Sequence, residues 1–479
     1  MRGDFTRYKH DPRKQFTRVM MQQGRPQLDA DWNEQVDIFW GFLRGLASDL
    51  IGPHGGPEDN CGFKILAEGD FPLSENGAPS REDQEVLKGM LTGEGDFLIG
   101  PGRYYVGGMP CENTGYVCYA AKAGPGEFVM QKKNKVPCLI YLDAWEVHRT
   151  DIEEESIREV ALLGTDTTTR AKLVWKVAVQ ELAEYGKNPS CGLVKEHWEA
   201  ILENWQPKHR GRLRARAIEP QEGVGTEPGT LSPESRYRGS TNQLYRIEIH
   251  QGGSCNANGG PTFKFSRENG SVIFPVRQVN GKVVTLGRFG RDARSGLQVG
   301  DWVEIVDDDY ELQRRAEPLL RIEKVIPGKL QATLSDLPKS TVGQDQSKHP
   351  LLRRWDHKEG DARRGGLELQ QGAAMIREGE HGSFWLNLEN GIQIQFKKTE
   401  TASSYRTGDF WTIPARVASG NVEWPFHEGE PEARGPQGVQ HFYAPLAIVS
   451  FNAKGVLATE SDCRLRFKLP THYGESIEP

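Results

Sequence analysis

The sequence predicts a mainly β protein with a long N-terminal α-helix, built as several β-sandwich or barrel modules with a small β-barrel inserted. Three observations lead there. Only one long stretch, positions 32–50, repeats its apolar residues at steps of four and three; elsewhere they alternate or run in short blocks. Turn residues are plentiful, with 54 glycines against a usual share of about 7%. Short alternating segments separated by turns follow one another between 275 and 337, the signature of a small closed barrel.

The 479 residues leave room for two to four domains of roughly 100–200 residues. The net charge of −6 and pI of about 6.1 argue against a dedicated nucleic-acid binder. Mean hydropathy is −0.61, and no run of about 18 apolar residues predicts a membrane span. The opening Met1-Arg2-Gly3-Asp4-Phe5 lacks the apolar core of a secretory signal, so cytoplasmic synthesis and assembly are expected. Cys61, Cys111, Cys118, Cys138, Cys191, Cys255 and Cys463 include no CxxC pair. The expectation is seven reduced thiols, with neither structural zinc nor a disulfide scaffold.

Residues 1–27 are polar and basic, and read as a mobile tail or as an arm that orders against a partner. Asp31 with Glu34 fits a capping box opening the helix. Trp32, Val36, Phe39, Leu43, Leu46 and Leu50 then form a heptad seam, widened by Ile38 and Phe42, and Gly52-Pro53 stops it. Gly41 and Gly45 each cost such a helix about 1 kcal/mol, so close approach of another backbone is the expected compensation. The seam either packs on its own domain or faces a helix of another subunit. The subunit-interface candidates are therefore Arg2, Phe5, Trp32, Val36, Phe39, Gly41, Leu43, Gly45, Leu46 and Leu50.

The expected division is an arm and helix over 1–60, a first β module over 61–182, and a short helix with linker over 183–235. A second β module takes 236–274 plus 338–470 around the inserted barrel at 275–337, and 471–479 form a tail. Within the linker region, a helix is expected over 195–205. After it Arg210, Arg212, Arg214 and Arg216 alternate with small or apolar residues, which puts four guanidinium groups on one face of a strand. That ridge is either solvated, paired with carboxylates, or a phosphate or nucleic-acid site. In the hairpin over 384–396, a three-residue loop Glu389-Asn390-Gly391 puts all six apolar residues on one face. It predicts Phe384 opposite Phe396, Leu386 opposite Ile394, Leu388 opposite Ile392, and Gly391 left-handed in a bulge.

Catalytic spacing is absent: there is no GxSxG, HExxH, P-loop or GxGxxG opening a helix. Asp29-Ala30-Asp31-Trp32-Asn33 begins like a calcium loop, but Glu34 and Trp40 stand where glycine and the bidentate glutamate belong. Asp307-Asp308-Asp309 reads as a solvated turn or a cation site. His148 and His250 end apolar strands and are general-base candidates without an identifiable partner. Trp385, Trp411 and Trp424 suit either a core or stacking on sugar rings. The expectation is no enzyme, no cofactor and no metal.

Longer strings carry a resemblance. MRGDF, DPRKQFTRVMMQQGRPQLDADWNEQ, LASDLIGPHGGPEDNCGF, IREVALLGTDTTTRAKLVWKV, YRGSTNQLYRIEIHQGG, TFKFSRENGSV, LENGIQIQF, YRTGDFWTIPARVASGNVEWP and GVQHFYAPLAIV span positions 1 to about 450. Together they resemble an uncharacterised domain family encoded among phage-tail-like contractile injection system genes, beside baseplate proteins. The chain departs from it at Leu163, where a second glycine is expected, and at Thr165, where proline is commoner. The resemblance implies a structural or assembly component of the particle. It also implies a homo-oligomer of three- or six-fold symmetry and partners among baseplate, spike or sheath subunits. It supplies no catalytic residues. The alternatives are a fibre- or docking-type module recognising glycan or a membrane surface, and a carbohydrate-active hydrolase with two facing carboxylates.

Overall fold

The computed structural model describes all residues except 9, 74–78, 123–129, 132–135, 187–188, 208–209, 219–236, 256–258, 291, 293, 314, 381–383, 399–402 and 469–479. Most of the expected linker before 235 and the whole of the tail 471–479 lie outside the described residues. The rest is mainly β, in several sheets.

The first β module is a four-stranded antiparallel sheet of long strands facing two sheets of shorter strands, one of four and one of three. In the large sheet, Leu457–Asp462, His441–Phe451, Cys138–Arg149 and Arg170–Glu181 lie side by side. Ile140, Leu142 and Ala144 of one strand and Ala444, Leu446 and Val449 of its neighbour meet Phe97, Ile99, Tyr104 and Val106 from the opposite side. This corrects the expected division. The strands after 440 belong with the first module rather than the second, because His441–Phe451 pairs along Cys138–Arg149 and Arg466–Phe467 runs parallel to His54–Pro57. The expected helix at 195–205 is two helices, Cys191–Glu196 and Trp198–Trp205, which lie against that sheet through Val194 and Ile201. The cysteine expectation is also corrected. Cys191 and Cys463 form a disulfide with Cα atoms 5.3 Å apart, a pairing hidden by a separation of 272 residues; the other five are free.

In the second module a six-stranded sheet and a smaller sheet enclose one core. The large sheet runs Leu369–Gln370, Ala373–Met375, Thr262–Ser266, Gln243–Gln251, Phe410–Arg416 and Asn421–Val422. Arg212–Ala217 and Ile392–Lys397 pair in the smaller sheet, so Leu213, Ala215, Ile394 and Phe396 meet Tyr245, Ile247, Phe263 and Trp411. The hairpin register has Leu386 opposite Ile394 and Asn387 opposite Gln393, and Leu388 N donates to Ile392 O at 3.0 Å. Two details of the expected loop are corrected. Asn390 (φ 51°) as well as Gly391 (φ 79°) is left-handed, so they form the tight turn and Glu389 is the extra residue. Its carboxylate accepts from Tyr245 and Arg267, which fixes it there. Phe384 does not face Phe396, because Glu378–Gly379 pairs there in parallel and leaves Phe384 exposed.

Between Thr262–Ser266 and Leu369–Gln370 the chain leaves the sheet and closes six strands into a barrel. Their order is Ile273–Asn280, Val283–Leu286, Gln331–Leu334, Leu320–Ile326, Trp302–Val306 and Leu351–Trp355. The last strand lies beyond the expected boundary at 337, and without it Ile273–Asn280 and Trp302–Val306 would have no common neighbour.

The helix α1 spans Asp29–Ile51. The expected capping box is corrected: the helix starts three residues earlier, with Leu28 at the N-cap and no side-chain cap bond. Asp29 instead accepts from Thr6 N at 2.8 Å and from Thr6 Oγ1. Asp29 and Asp31 stand in the first turn, where the helix dipole favours negative charge. A hairpin turn holds the far end of α1. Gly108 (φ +74°) lies so close that an added Cβ would collide with the backbone carbonyl of Arg44, whose Nε donates to Gly107 O at 3.2 Å. Gly108→Ala is therefore expected to lower unfolding stability by about 2 kcal/mol, since left-handed strain alone costs about 1–3 kcal/mol. It should also speed amide exchange in the last turns of α1; urea titration and hydrogen exchange check both.

Candidate docking face

The face α1 turns away from the body is the seam. Trp32, Val36, Phe39, Phe42, Leu43, Leu46 and Leu50 are exposed, from 39% at Leu43 to 77% at Leu50, whereas Ala30 and Ile38 on the other side are buried. Asp49 is the one charged residue among the exposed positions between 32 and 50. Gly45 opens onto free space, and a Cβ on Gly41 would meet only His10 Nε2 at 3.7 Å. Among the described residues, no backbone from outside the helix closes on these glycines. Phe16, Met20, Met21 and Leu28, in the segment leading to the helix, are exposed as well.

The arm candidates fall elsewhere, and the expectation of a mobile or partner-ordered tail is corrected for its first residues. Arg2 donates through Nη2 to Glu248 at 2.8 Å and through Nε at 3.1 Å. Phe5 packs edge-on to His148 and Tyr8. Arg7 pairs with Glu423 at 2.5 Å. Arg2 and Phe5 thus serve contacts within the chain, while the helix candidates remain outward.

What Arg2 reaches is a second feature. Along Gln243–Gln251, alternation sends Tyr245, Ile247 and Ile249 into the module core, and Arg246, Glu248 and His250 to the opposite face. An ordinary sheet would leave that face to water. Here the arm, the barrel and the first module cover it, and Arg246, Glu248, Lys264 and Glu304 are each at most 3% exposed. Arg246 Nε donates to Glu248 at 2.6 Å and its guanidinium sits 3.6 Å from the Phe410 ring centre. Lys264 Nζ reaches both Glu304 oxygens, at 2.6 and 2.7 Å, and Tyr310 and Trp355 donate to the same carboxylate. Burial pushes both carboxyls up, but the cations win. Arg2, Arg246 and Lys264 hold Glu248 well below its usual range, and Lys264 with His250 takes Glu304 down to about 2. Removing one member of such a cluster costs about 3–5 kcal/mol, because its partner is left buried and uncompensated.

A cavity of about 270 Å³ opens against this cluster, between the two β modules. Arg2, Arg44, Arg246, Lys264, Arg315 and Arg406 line it, against three carboxylates. His148 borders it too; burial first, then the Met1 amino group and the cations Arg353, Arg2 and Arg246, depress its pKa to about 3. The signal for this site lies in Arg246, Glu248 and His250, three polar residues at every second position of one strand, of which only His250 stands out in the sequence, as a general-base candidate.

The profile of one protein family matches residues 1–189 and 190–470. This chain belongs to that family. It is described as a family of unknown function, DUF6519. No curated protein and no solved structure matches the chain. Function in this family member therefore rests on its own geometry.

The remaining candidates are placed as follows. Arg210 pairs with Asp409 at 2.9 Å, Arg214 and Arg216 donate to Gln395 and Gln393, and Arg216 stacks on Trp385. Asp308 meets Arg149 and His349, Asp309 meets Lys348, and Asp307 accepts from Tyr310 N. Trp411 and Trp424 lie in the core of the second module. Among the described residues, no group of three or more His, Cys, Asp or Glu side chains is placed to hold a metal ion, and no helix is long and apolar enough to cross a membrane.

Proposed function

We propose that this chain is a structural assembly component of a phage-tail-like contractile injection particle, in or next to its baseplate. Its β modules, with their inserted barrel and long N-terminal helix, form the rigid body, and a neighbouring subunit docks on the outer face of α1. One observation carries the reading: an apolar stripe of seven large side chains stands in solvent along one face of a single helix. Monomeric soluble proteins rarely expose contiguous apolar patches above a few hundred Å², and larger ones mark interaction surfaces. The contractile particle itself rests on the sequence resemblance, as do cytoplasmic assembly and a three- or six-fold ring. The open space beside Gly41 and Gly45 favours a helix or strand approaching closely.

The test is the mass of the purified chain in solution, with its position in the intact particle found by electron microscopy. Self-association through α1, or a neighbouring subunit seated on α1, supports the reading. A monomer that stays soluble at high concentration and sits in no particle overturns it.

A further inference from the structure

We propose that the cavity between the two β modules is a binding site for a small organic anion, with one carboxylate or phosphate head on an apolar body. Two residues of its wall each carry a nitrogen left without a partner. His148 Nε2 and Arg315 Nε are buried, and among the described residues neither has a hydrogen-bond partner. Arg315 Nε–H is a donor, and leaving such a donor unmade costs about 1–3 kcal/mol. A small turn of the side chain toward the cavity lets an acceptor atom of a ligand remove that cost.

Charge gives the sign of the ligand. Arg2, Arg246 and Lys264 face Glu248 and Glu304, which leaves one positive charge over at the heart of the cluster, and Arg315 adds another at the wall. Size and lining give its body. Trp145, Phe410, Phe442 and Met109 supply apolar surface. A dry cavity of about 150 Å³ accepts a benzene ring, so about 270 Å³ holds a ring together with its head group. The proposal is independent of the docking role of α1.

The experiment uses the full chain with benzoate, phenyl phosphate and inorganic phosphate as probes, read by calorimetric titration and by the shift in Tm. Saturable binding of benzoate or phenyl phosphate is expected, with a Tm that rises with concentration; the tighter of the two identifies the head group. Inorganic phosphate lacks the apolar body and should bind at least about tenfold more weakly. His148→Leu gives up no existing hydrogen bond, so the variant should fold and lose about tenfold or more in affinity. Arg315→Gln serves as the second variant with the same expected loss. The proposal is overturned if no probe binds at millimolar concentration, if inorganic phosphate binds as tightly as phenyl phosphate, or if both variants retain full affinity.

Discussion

Replacing Phe39 and Leu43 together by Asp is expected to abolish docking of this chain while leaving its fold intact. The two side chains stand 59% and 39% exposed on the free chain, so their truncation removes little internal packing. Exposed substitutions of this kind usually change stability by less than about 0.5 kcal/mol. In a docked state the same positions lie at the centre of the seam, where water is excluded. A carboxylate there is buried without a partner, at a cost of several kcal/mol each, and the loss of two central apolar anchors adds to it. The predicted result is at least a thousandfold fall in association, about 4 kcal/mol, with an unchanged Tm for the isolated chain. Co-fractionation with the particle and a thermal melt of the purified variant measure the two halves. Full incorporation of the variant would remove the docking role of α1. Deleting residues 1–27 is a poorer test, because it strips Arg2 from Glu248 and leaves that carboxylate facing one cation fewer.

The helix stripe was legible because its period is local. Trp32, Val36, Phe39, Leu43, Leu46 and Leu50 announce one face within nineteen residues, and nothing distant is needed to see it. Which way that face points was not legible. It depends on the hairpin turn at Gly107 and Gly108, about sixty residues on, whose carbonyl takes the Arg44 guanidinium and so presents the other side of α1 to the body. The same limit explains the corrected module boundary. Nothing in residues 441–451 states that they pair with Cys138–Arg149 rather than with the strands just before them. The buried cluster was half legible: alternation placed Arg246, Glu248 and His250 on one face, but only the fold shows that face roofed by Arg2, Glu304 and His148. The disulfide was illegible for the same reason, with both cysteines ordinary in their local sequence.

Acid should unfold this protein from near pH 6.5 downward, well before its carboxylates protonate. Four buried histidines set that onset. Burial, reinforced by Lys195, lowers His54 to about 4; its Nδ1 lies 3.0 Å from the Tyr104 hydroxyl. Burial and then Lys264 take His250 to about 4, against the pull of Glu304 at 3.7 Å. Burial takes His357 to about 4, and its Nε2–H donates to Gly372 O at 2.5 Å, which fixes the neutral tautomer. His148 lies lower still, at about 3. In the unfolded chain each titrates near 6.5. The folded values are depressed, so the stability they support is complete above about pH 6.5 and is lost as pH falls toward 4. Each histidine then contributes a slope of about 1.4 kcal/mol per pH unit. Four acting together remove up to about 11 kcal/mol over two units, comparable with the usual total stability of about 5–15 kcal/mol, which places the acid transition near pH 5. Glu248 and Glu304 act later, since their unfolded value is about 4.3 and their folded values lie well below it. Urea titrations at half-unit intervals from pH 7.5 to 4.5 measure the slope, and a stability that stays flat from pH 7 to 5 would contradict it. His357→Gln keeps a donor for Gly372 O and removes one titrating group, so it should shallow the slope by about 1.4 kcal/mol per unit and move the acid transition to lower pH.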